Sequence, residues 1–411
     1  MKSPKRYQRH DQRIDRPWRH QRYSLWRLRR SPVEAMLSRP ADTKKHAPLL
    51  AVVAVLLAWI SLPFSTAFGI QFSGLGYLPG GSTESVARGI SLDGTVVVGA
   101  SRNAQGRAEP FRWTSNSGMV GLGYLSGATA GDAYAVSSSG DVVVGSSGLR
   151  AFSWSQPTGM VALPNFVSGY QYQANAVSSN GLYAAGFYYP SSGATSIATT
   201  WTPGIGTASG QESFGITADG TITVGVRSTP TGFQAFREVS GSSSSLGFLT
   251  GTVGNSGANA VTSDGVVVVG YSSSPQGQQA FRWTNATGMI GLGDVGVGSF
   301  NSAATALSLD GSVVVGTSSD GYGFVWTADA GMQSLRQMLL SGGVDLSMWS
   351  ELAPLAVSGD GLIIAGQGRH SNGSTEAFVA SVPEPSTCYS LAAALTIGYL
   401  GLRRHRTSGA Q

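Results

Sequence analysis

The chain has 411 residues, 57 of them glycine, and only 12% of its side chains are charged, a make-up of turns and strands rather than of helices. The formal charge of +5 belongs to the ends: 14 of the 27 Lys and Arg precede residue 46, and residues 70–382 hold 10 basic against 17 acidic side chains, which argues against nucleic-acid binding by that body. A single cysteine, Cys388, excludes an internal disulfide or a cysteine zinc site, and His370 as the body's sole histidine removes the common metal and acid–base constellations.

Residues 1–47 include "KRYQRHDQRIDRPWRHQRYSLWRLRR", which reads as a disordered basic segment or as sequence ahead of a true start at Met36. Residues 48–67 follow Lys44 and Lys45 and form an apolar run of about 15 residues broken at Pro63, short of the roughly 20 a membrane span needs. With Ser65, Thr66 and Ala67 supplying small residues, the segment reads as a signal peptide cleaved after Ala67, the alternative being a retained anchor.

From residue 70 to 382 one phrase recurs. "GISLDGTVVVG" begins at Gly89, "AVSSSGDVVVG" at Ala135, "AVSSNGLYAAG" at Ala176, "GITADGTITVG" at Gly215, "AVTSDGVVVVG" at Ala260, "ALSLDGSVVVG" at Ala306 and "AVSGDGLIIAG" at Ala356. The turn glycines Gly94, Gly140, Gly181, Gly220, Gly265, Gly311 and Gly361 are spaced 39 to 50 residues apart, a period that belongs to propellers and solenoids. Asp or Asn before the glycine predicts a two-residue type I′ hairpin turn with both residues at positive φ. The valine run that follows is apolar at every position, as in a strand covered on both faces.

A second element, "PFRWT" (110–114), "AFSWS" (151–155), "AFRWT" (280–284) and "GFVWT" (323–327), places Phe and Trp on one strand face; another follows as "GMVGLGYL", "GMVALPNF" and "GMIGLGDV". Four short strands per unit of about 45 residues predict a seven-bladed β-propeller. The seventh unit lacks its fourth strand, and "FSGLGYLPGG" (72–81) is an orphan copy of it, so the N-terminal strand is expected to close the ring; an open β-solenoid is the alternative. These motifs, with "LRQMLLSGGVDLSMWSELAPLAVSGDGLIIAGQG" (335–368), resemble the HAF-repeat family of secreted bacterial proteins. The family's histidine before Ala-Phe is absent: Glu109, Arg150, Gln234, Gln279, Tyr322 and Glu376 lie in or next to that region.

At the C-terminus Val382, Pro383, Glu384, Pro385 and Ser386 precede an apolar run, with a transmembrane helix expected over about 388–402, and then Arg403, Arg404 and Arg406. Arginine-rich flanks stay cytoplasmic, so the body between the two ends is placed outside. Residues 382–406 closely resemble the PEP-CTERM sorting signal of Gram-negative bacteria. The resemblance implies an exosortase-type sorting enzyme as partner, transient anchoring in the inner membrane and a destination at the cell surface or beyond it.

No catalytic residue, cofactor or metal is assigned. Ser91, Ser137, Ser178, Thr217, Thr262, Ser308 and Ser358 recur in every unit, as turn chemistry does and an active site does not. Trp113, Trp154, Trp283 and Trp326 read as inter-blade packing, and His370 as a lone surface histidine. Asp320, Asp329, Asp345 and Glu351 lack any EF-hand spacing. The expected role is a non-catalytic surface or matrix propeller that binds glycans or other surface polymers. A polysaccharide hydrolase or lyase using Glu84, Asp132 and Glu212 in the channel is the runner-up, and a purely structural matrix protein the third reading.

Overall fold

The structure, a computed structural model, describes residues 69–190, 196–202, 205–208, 212–249, 254–296, 298–319 and 322–383. Ala67, the signal segment, Glu384, Pro385, Ser386 and the expected C-terminal helix lie outside the described residues. Among those described, no helix is long and apolar enough to cross a membrane.

Seven antiparallel sheets follow one another along the chain. In the first blade the inner strand Ser85–Ile90 pairs with Val96–Arg102, that with Ala108–Thr114, and that with the outer strand Gly118–Gly121. The other inner strands begin at Gly131, Tyr170, Glu212, Ser256, Ala303 and Trp349, and the fifth blade carries an extra two-residue strand, Phe300–Asn301. The seventh blade is completed by Gln71–Gly74, which pairs with Thr375–Ser381 in the register Gln71↔Ser381 to Gly74↔Phe378. Phe72 stacks on Phe378 at 5.3 Å and meets Trp349 edge-on at 4.9 Å. The architecture is therefore a seven-bladed β-propeller closed by its N-terminal strand.

A four-stranded blade cannot shield its own two faces, and the valine runs show where shielding comes from. Each junction between consecutive blades holds its own apolar cluster. Between the first and second blades, Val96 and Val98 meet Ala133, Val143 and Phe152; between the last and first, Ala356, Ala365 and Ala377 meet Leu75, Ala87, Val97 and Phe111. Trp113, Trp154, Trp283 and Trp326 pack against the clusters of their own junctions. The third-strand phenylalanines Phe111, Phe152, Phe236, Phe281, Phe324 and Phe378 are fully buried, each stabilising by roughly 1.5–3 kcal/mol. The third blade has Thr199 instead, its hydroxyl buried without a partner.

The recurrent turn differs from the type I′ expectation. Ser91 N–H donates to Val96 O (2.9 Å) and Gly94 N–H to Ser91 O (3.0 Å), closing a four-residue loop. Only the glycine is left-handed: the turn glycines have φ between 66° and 78°, while among the described residues Thr83 and Ser240 are the non-glycine residues at positive φ. Asp acts through its side chain. Asp93 Oδ1 accepts from Ser91 Oγ (2.6 Å) and Thr95 N (3.0 Å), and Ser91 Oγ accepts from Val96 N (2.9 Å). The same bonds recur at Asn180, Asp219, Asp264, Asp310 and Asp360. Such bonding holds the carboxylates of Asp93, Asp219 and Asp264 below their ordinary range, led by the Ser or Thr hydroxyl. At Asp310 the Ser312 N–H leads.

One helix, α1 (Leu335–Ser341), is described. Ser334 caps it by accepting from Gln337 N, and Leu335 and Leu339 are buried at the sixth–seventh junction. The described residues end there: Val382 N–H donates to Leu362 O (2.8 Å), and Pro383 walls a cavity of about 250 Å³ beside Met338.

Candidate functional site: the loop-side end of the central channel

The seven inner strands surround the channel, and each ends in the repeated phrase. Ile90, Val136, Val177, Ile216, Val261, Leu307 and Val357 line a cavity of about 180 Å³ at the turn-side mouth together with the polar residues Ser138, Ser179, Thr262, Ser263 and Ser308. Two residues on lies a belt of backbone bonds between blades: Leu92 N–H donates to Ser138 O (3.1 Å), Ser138 to Ser179 (3.1 Å), Ala218 to Ser263 (3.1 Å), Leu309 to Gly359 (2.9 Å) and Gly359 to Leu92 (2.8 Å). Gly359 to Leu92 carries the belt across the chain closure.

Toward the opposite mouth the repeats diverge. A β-bulge interrupts the inner strand of every blade at one register, re-aiming one residue. The bulged residues are Arg88, Tyr134, Asn175, Phe214, Asn259, Thr305 and Leu355. Asn175 donates to Ser213 O (3.2 Å), Asn259 to Ala304 O (2.7 Å) and Thr305 to Pro354 O (3.0 Å), each reaching the next blade.

Arg88 also reaches the next blade, but to a side chain. Its Nε donates to Asp132 Oδ2 at 2.7 Å, and its guanidinium carbon lies 5.3 Å from the centre of the Tyr134 ring. Asp132 has a side chain 17% exposed, and its Oδ1 is buried with no hydrogen-bond partner. Burial pushes this carboxyl up to about 6 against the opposing pull of Arg88. Burial, then the Asp132 charge, also raises the Tyr134 phenol.

The third and fourth blades add amides and aromatics. Gln173 Nε2 donates to Asn175 Oδ1 (2.7 Å) and Tyr189 OH to Gln171 Oε1 (3.1 Å); the Phe187 ring lies 5.8 Å from Tyr189 and 6.4 Å from Phe214. Glu212 occupies the register of Asp132. In the fifth blade that register is Gly257, and a Cβ there would stand 2.6 Å from Tyr271 Cε1, so the phenol lies across the strand where the glycine leaves room. Burial and the Glu212 charge raise the Tyr271 phenol.

The channel candidates therefore separate. Asp132 and Glu212 share one register, whereas Glu84 stands on the rim in an exposed ion pair with Arg102 (2.8 Å). His370 is not a surface histidine: its side chain is 15% exposed, Nε2 lies 2.7 Å from Glu376 Oε2, and its ring lies 4.2 Å from that of Trp349. Glu376 Oε1 accepts from Gly76 N (2.8 Å). The first blade repeats this with Asn103 donating to Glu109 Oε2 (2.8 Å) and Gly123 N to Oε1 (3.2 Å), so the His370 pair belongs to blade construction. Asp345 accepts from its own loop at Ser347 N, and among the described residues no group of three His, Cys, Asp or Glu side chains could hold a metal.

Asp132 was a sequence candidate, but the residues around it that break the repeat, Arg88, Tyr134, Gln173, Tyr189 and Tyr271, were missed. Comparing channel positions across the seven copies would have found them. No protein-family model matches the chain, and no curated protein matches it. Among solved structures the fold is similar to that of an oligogalacturonate lyase in complex with manganese, at 13% identity and TM-score 0.52 over 78% of this chain and 95% of that one. It is also similar to a puromycin hydrolase mutant complexed with PGG, at 11% identity and TM-score 0.52 over 74% of this chain and 54% of that one. At these identities the likeness concerns the fold alone.

Proposed function

We propose that the chain is an exported surface or matrix propeller that binds glycans at the loop-side end of its channel. The observation that carries this reading is the Arg88–Asp132 pair: Asp132 Oδ1 is buried without a donor, and the Arg88 guanidinium lies over the Tyr134 ring. A sugar offers hydroxyl donors and an apolar ring face together, and a carboxylate, side-chain amides and phenols on one wall answer both. The net negative body disfavours a polyphosphate partner. Export, HAF-type kinship and sorting by an exosortase-type enzyme at the inner membrane rest on the sequence motifs; accumulation of the full-length chain in membranes of cells lacking the enzyme would support the sorting role, and its absence there would overturn it.

Retention of the full chain on a glycan array, lost in Asp132→Ala, tests the binding site. The scaffold accepts small residues at this register, since Gly257, Ala303 and Ala353 occupy it in other blades. Array-wide silence refutes the reading. A second reading, a hydrolase or lyase, is favoured by one observation: a carboxyl near 6 can exchange protons at neutral pH. Product release from the retained glycans, abolished in Asp132→Ala, would promote it.

A further inference from the structure

Away from the channel, one third-strand register breaks the repeat. Arg112, Arg237 and Arg282 occupy it in three blades, and Ser153, Thr200, Val325 and Val379 in the others. A residue needed to build a blade would recur in all seven. Each arginine crosses to the turn of the next blade: Arg112 Nε donates to Gly140 O (3.2 Å), Arg282 Nε to Gly311 O (3.4 Å) and Arg237 Nη2 to Gly265 O (3.3 Å). At the fourth–fifth junction, where Val266 follows the turn glycine, the guanidinium carbon lies 6.0 Å from the centre of the Trp283 ring. At the first–second and fifth–sixth junctions a polar residue, Asp141 or Ser312, follows the glycine, and a cavity is found.

The two cavities occupy equivalent places. One, of about 410 Å³, is lined by Arg112, Asp141, Trp154, Ser155, Gln156 and Pro157. The other, of about 350 Å³, is lined by Arg282, Asp310, Ser312, Trp326, Thr327 and Asp329. Both lie on the turn side, away from Asp132, and Trp154 and Trp326 are half-buried. Their indole N–H groups meet no acceptor among the described residues, whereas Trp201 gives its own to Pro164 O (2.9 Å). Among the described residues neither Arg112 nor Arg282 forms an ion pair.

This set of groups selects a chemistry. A half-buried indole offers an apolar face to a sugar ring, while a guanidinium and a carboxylate side by side give and take hydrogen bonds with neighbouring hydroxyls. The carboxylates in each cavity disfavour an anion, and the arginine disfavours a cation.

We propose that these two inter-blade cavities are secondary sites, each taking one residue of an uncharged glycan. They go beyond the channel reading, since they lie on the other side and use none of its residues. One ring held in an open cavity binds with a dissociation constant on the order of 1 mM. That is too weak to survive the washing of an array, so loss of retention in Asp132→Ala is still expected. A propeller holding one chain in its channel would touch a second chain through these sites.

Fluorine NMR of the full-length protein labelled with 5-fluorotryptophan tests the proposal. The probes are methyl β-glucoside, methyl β-galactoside, methyl α-mannoside, glucuronate and glucosamine. The expected result is that a neutral glycoside shifts, saturably, two of the nine tryptophan signals, those that Trp154→Phe and Trp326→Phe remove. The shifts should be equal in the parent and in Asp132→Ala. Arg112→Ala should weaken binding at least tenfold at Trp154 and leave Trp326 unchanged, with Arg282→Ala doing the reverse, so each variant carries its own control for folding. No saturable shift with any neutral glycoside overturns the proposal, as does a shift that Asp132→Ala abolishes. Glucuronate or glucosamine binding as tightly as the neutral sugars overturns the claim about charge. A silent glycan array with both signals still shifting would sink the channel reading and uphold these sites.

Discussion

Asp132 shows what a single residue costs a repeat that would otherwise be uniform. Its folded-state carboxyl is pushed up to about 6, against about 3.9 in an unfolded chain. As pH rises the unfolded chain loses its proton first, so this residue lowers stability progressively between about pH 4 and 6, with the full penalty above. Asp132→Ala should therefore melt higher than the parent above pH 6, with the difference vanishing near pH 4, while glycan retention is lost. The turn aspartates Asp93, Asp219, Asp264 and Asp310 act in the opposite sense. Their folded values lie below the unfolded one, so the stability they contribute is complete above the ordinary carboxylate range and disappears as pH falls through the folded values. Asp264→Ala, which removes the acceptor for Thr262 Oγ1 (2.6 Å) and Val266 N (3.0 Å), should cost about 1 kcal/mol at pH 7, and Asp264→Asn less, measured as a denaturation midpoint shift. Thr223 is the reverse case. Its hydroxyl is buried without a partner, at a register filled by Val97, Val143, Val268, Val314 and Ile364 elsewhere. Thr223→Val should raise stability by about 1 kcal/mol, with no change in glycan binding.

Within a blade, the turn between the first two strands does two jobs through one glycine. It holds the left-handed conformation, and it receives the neighbour: a Cβ on Gly265 would stand 2.4 Å from Ile222 Cδ1, and one on Gly140 2.5 Å from Val96 Cγ2. Gly265→Ala should cost about 1–3 kcal/mol, the sum of αL strain and a displaced inter-blade contact, seen as a lower denaturation midpoint. The strands, their number and their order were legible because each blade is forced to the same solution. A run such as Val267 to Val269 can be apolar throughout only between two neighbours, and "FSGLGYLPGG" has no partner except at the far end of the chain. The turn type was misread because Asp-Gly fits several loops. The side-chain bonds of Ser91 and Asp93, which decide the matter, depend on a hydroxyl two residues earlier. His370 was misread because nothing local marks Glu376 and Trp349 as its neighbours. The channel wall was only half legible: Asp132 and Glu212 stood out as charges, while Tyr134, Tyr189 and Tyr271 passed as ordinary strand aromatics.

For the propeller as a whole, closure is the decisive term. Removing residues 70–81 strips Phe72, Leu75 and Leu78 from two junctions and leaves the edge of Thr375–Ser381 unpaired. Each buried side chain lost is worth roughly 1.5–3 kcal/mol, so the deletion should lower the melting temperature of the entire domain. A circular permutant separates closure from content. Joining residue 382 to residue 70 through a short linker, with new ends in the exposed loop at Gln105 and Gly106, keeps every strand and should melt close to the parent. A deletion variant as stable as the parent would show that the ring does not need its clasp.

The clasp also has a mechanical direction. Gln71 lies opposite Ser381, so both leads depart from the same end of one antiparallel pair. A load drawing those leads apart would peel the pair open like a zipper, one bond after another, instead of shearing all of its bonds at once. Anything that grips the domain by both leads thus holds it at its weakest geometry, and a tether on a single lead spares the seam.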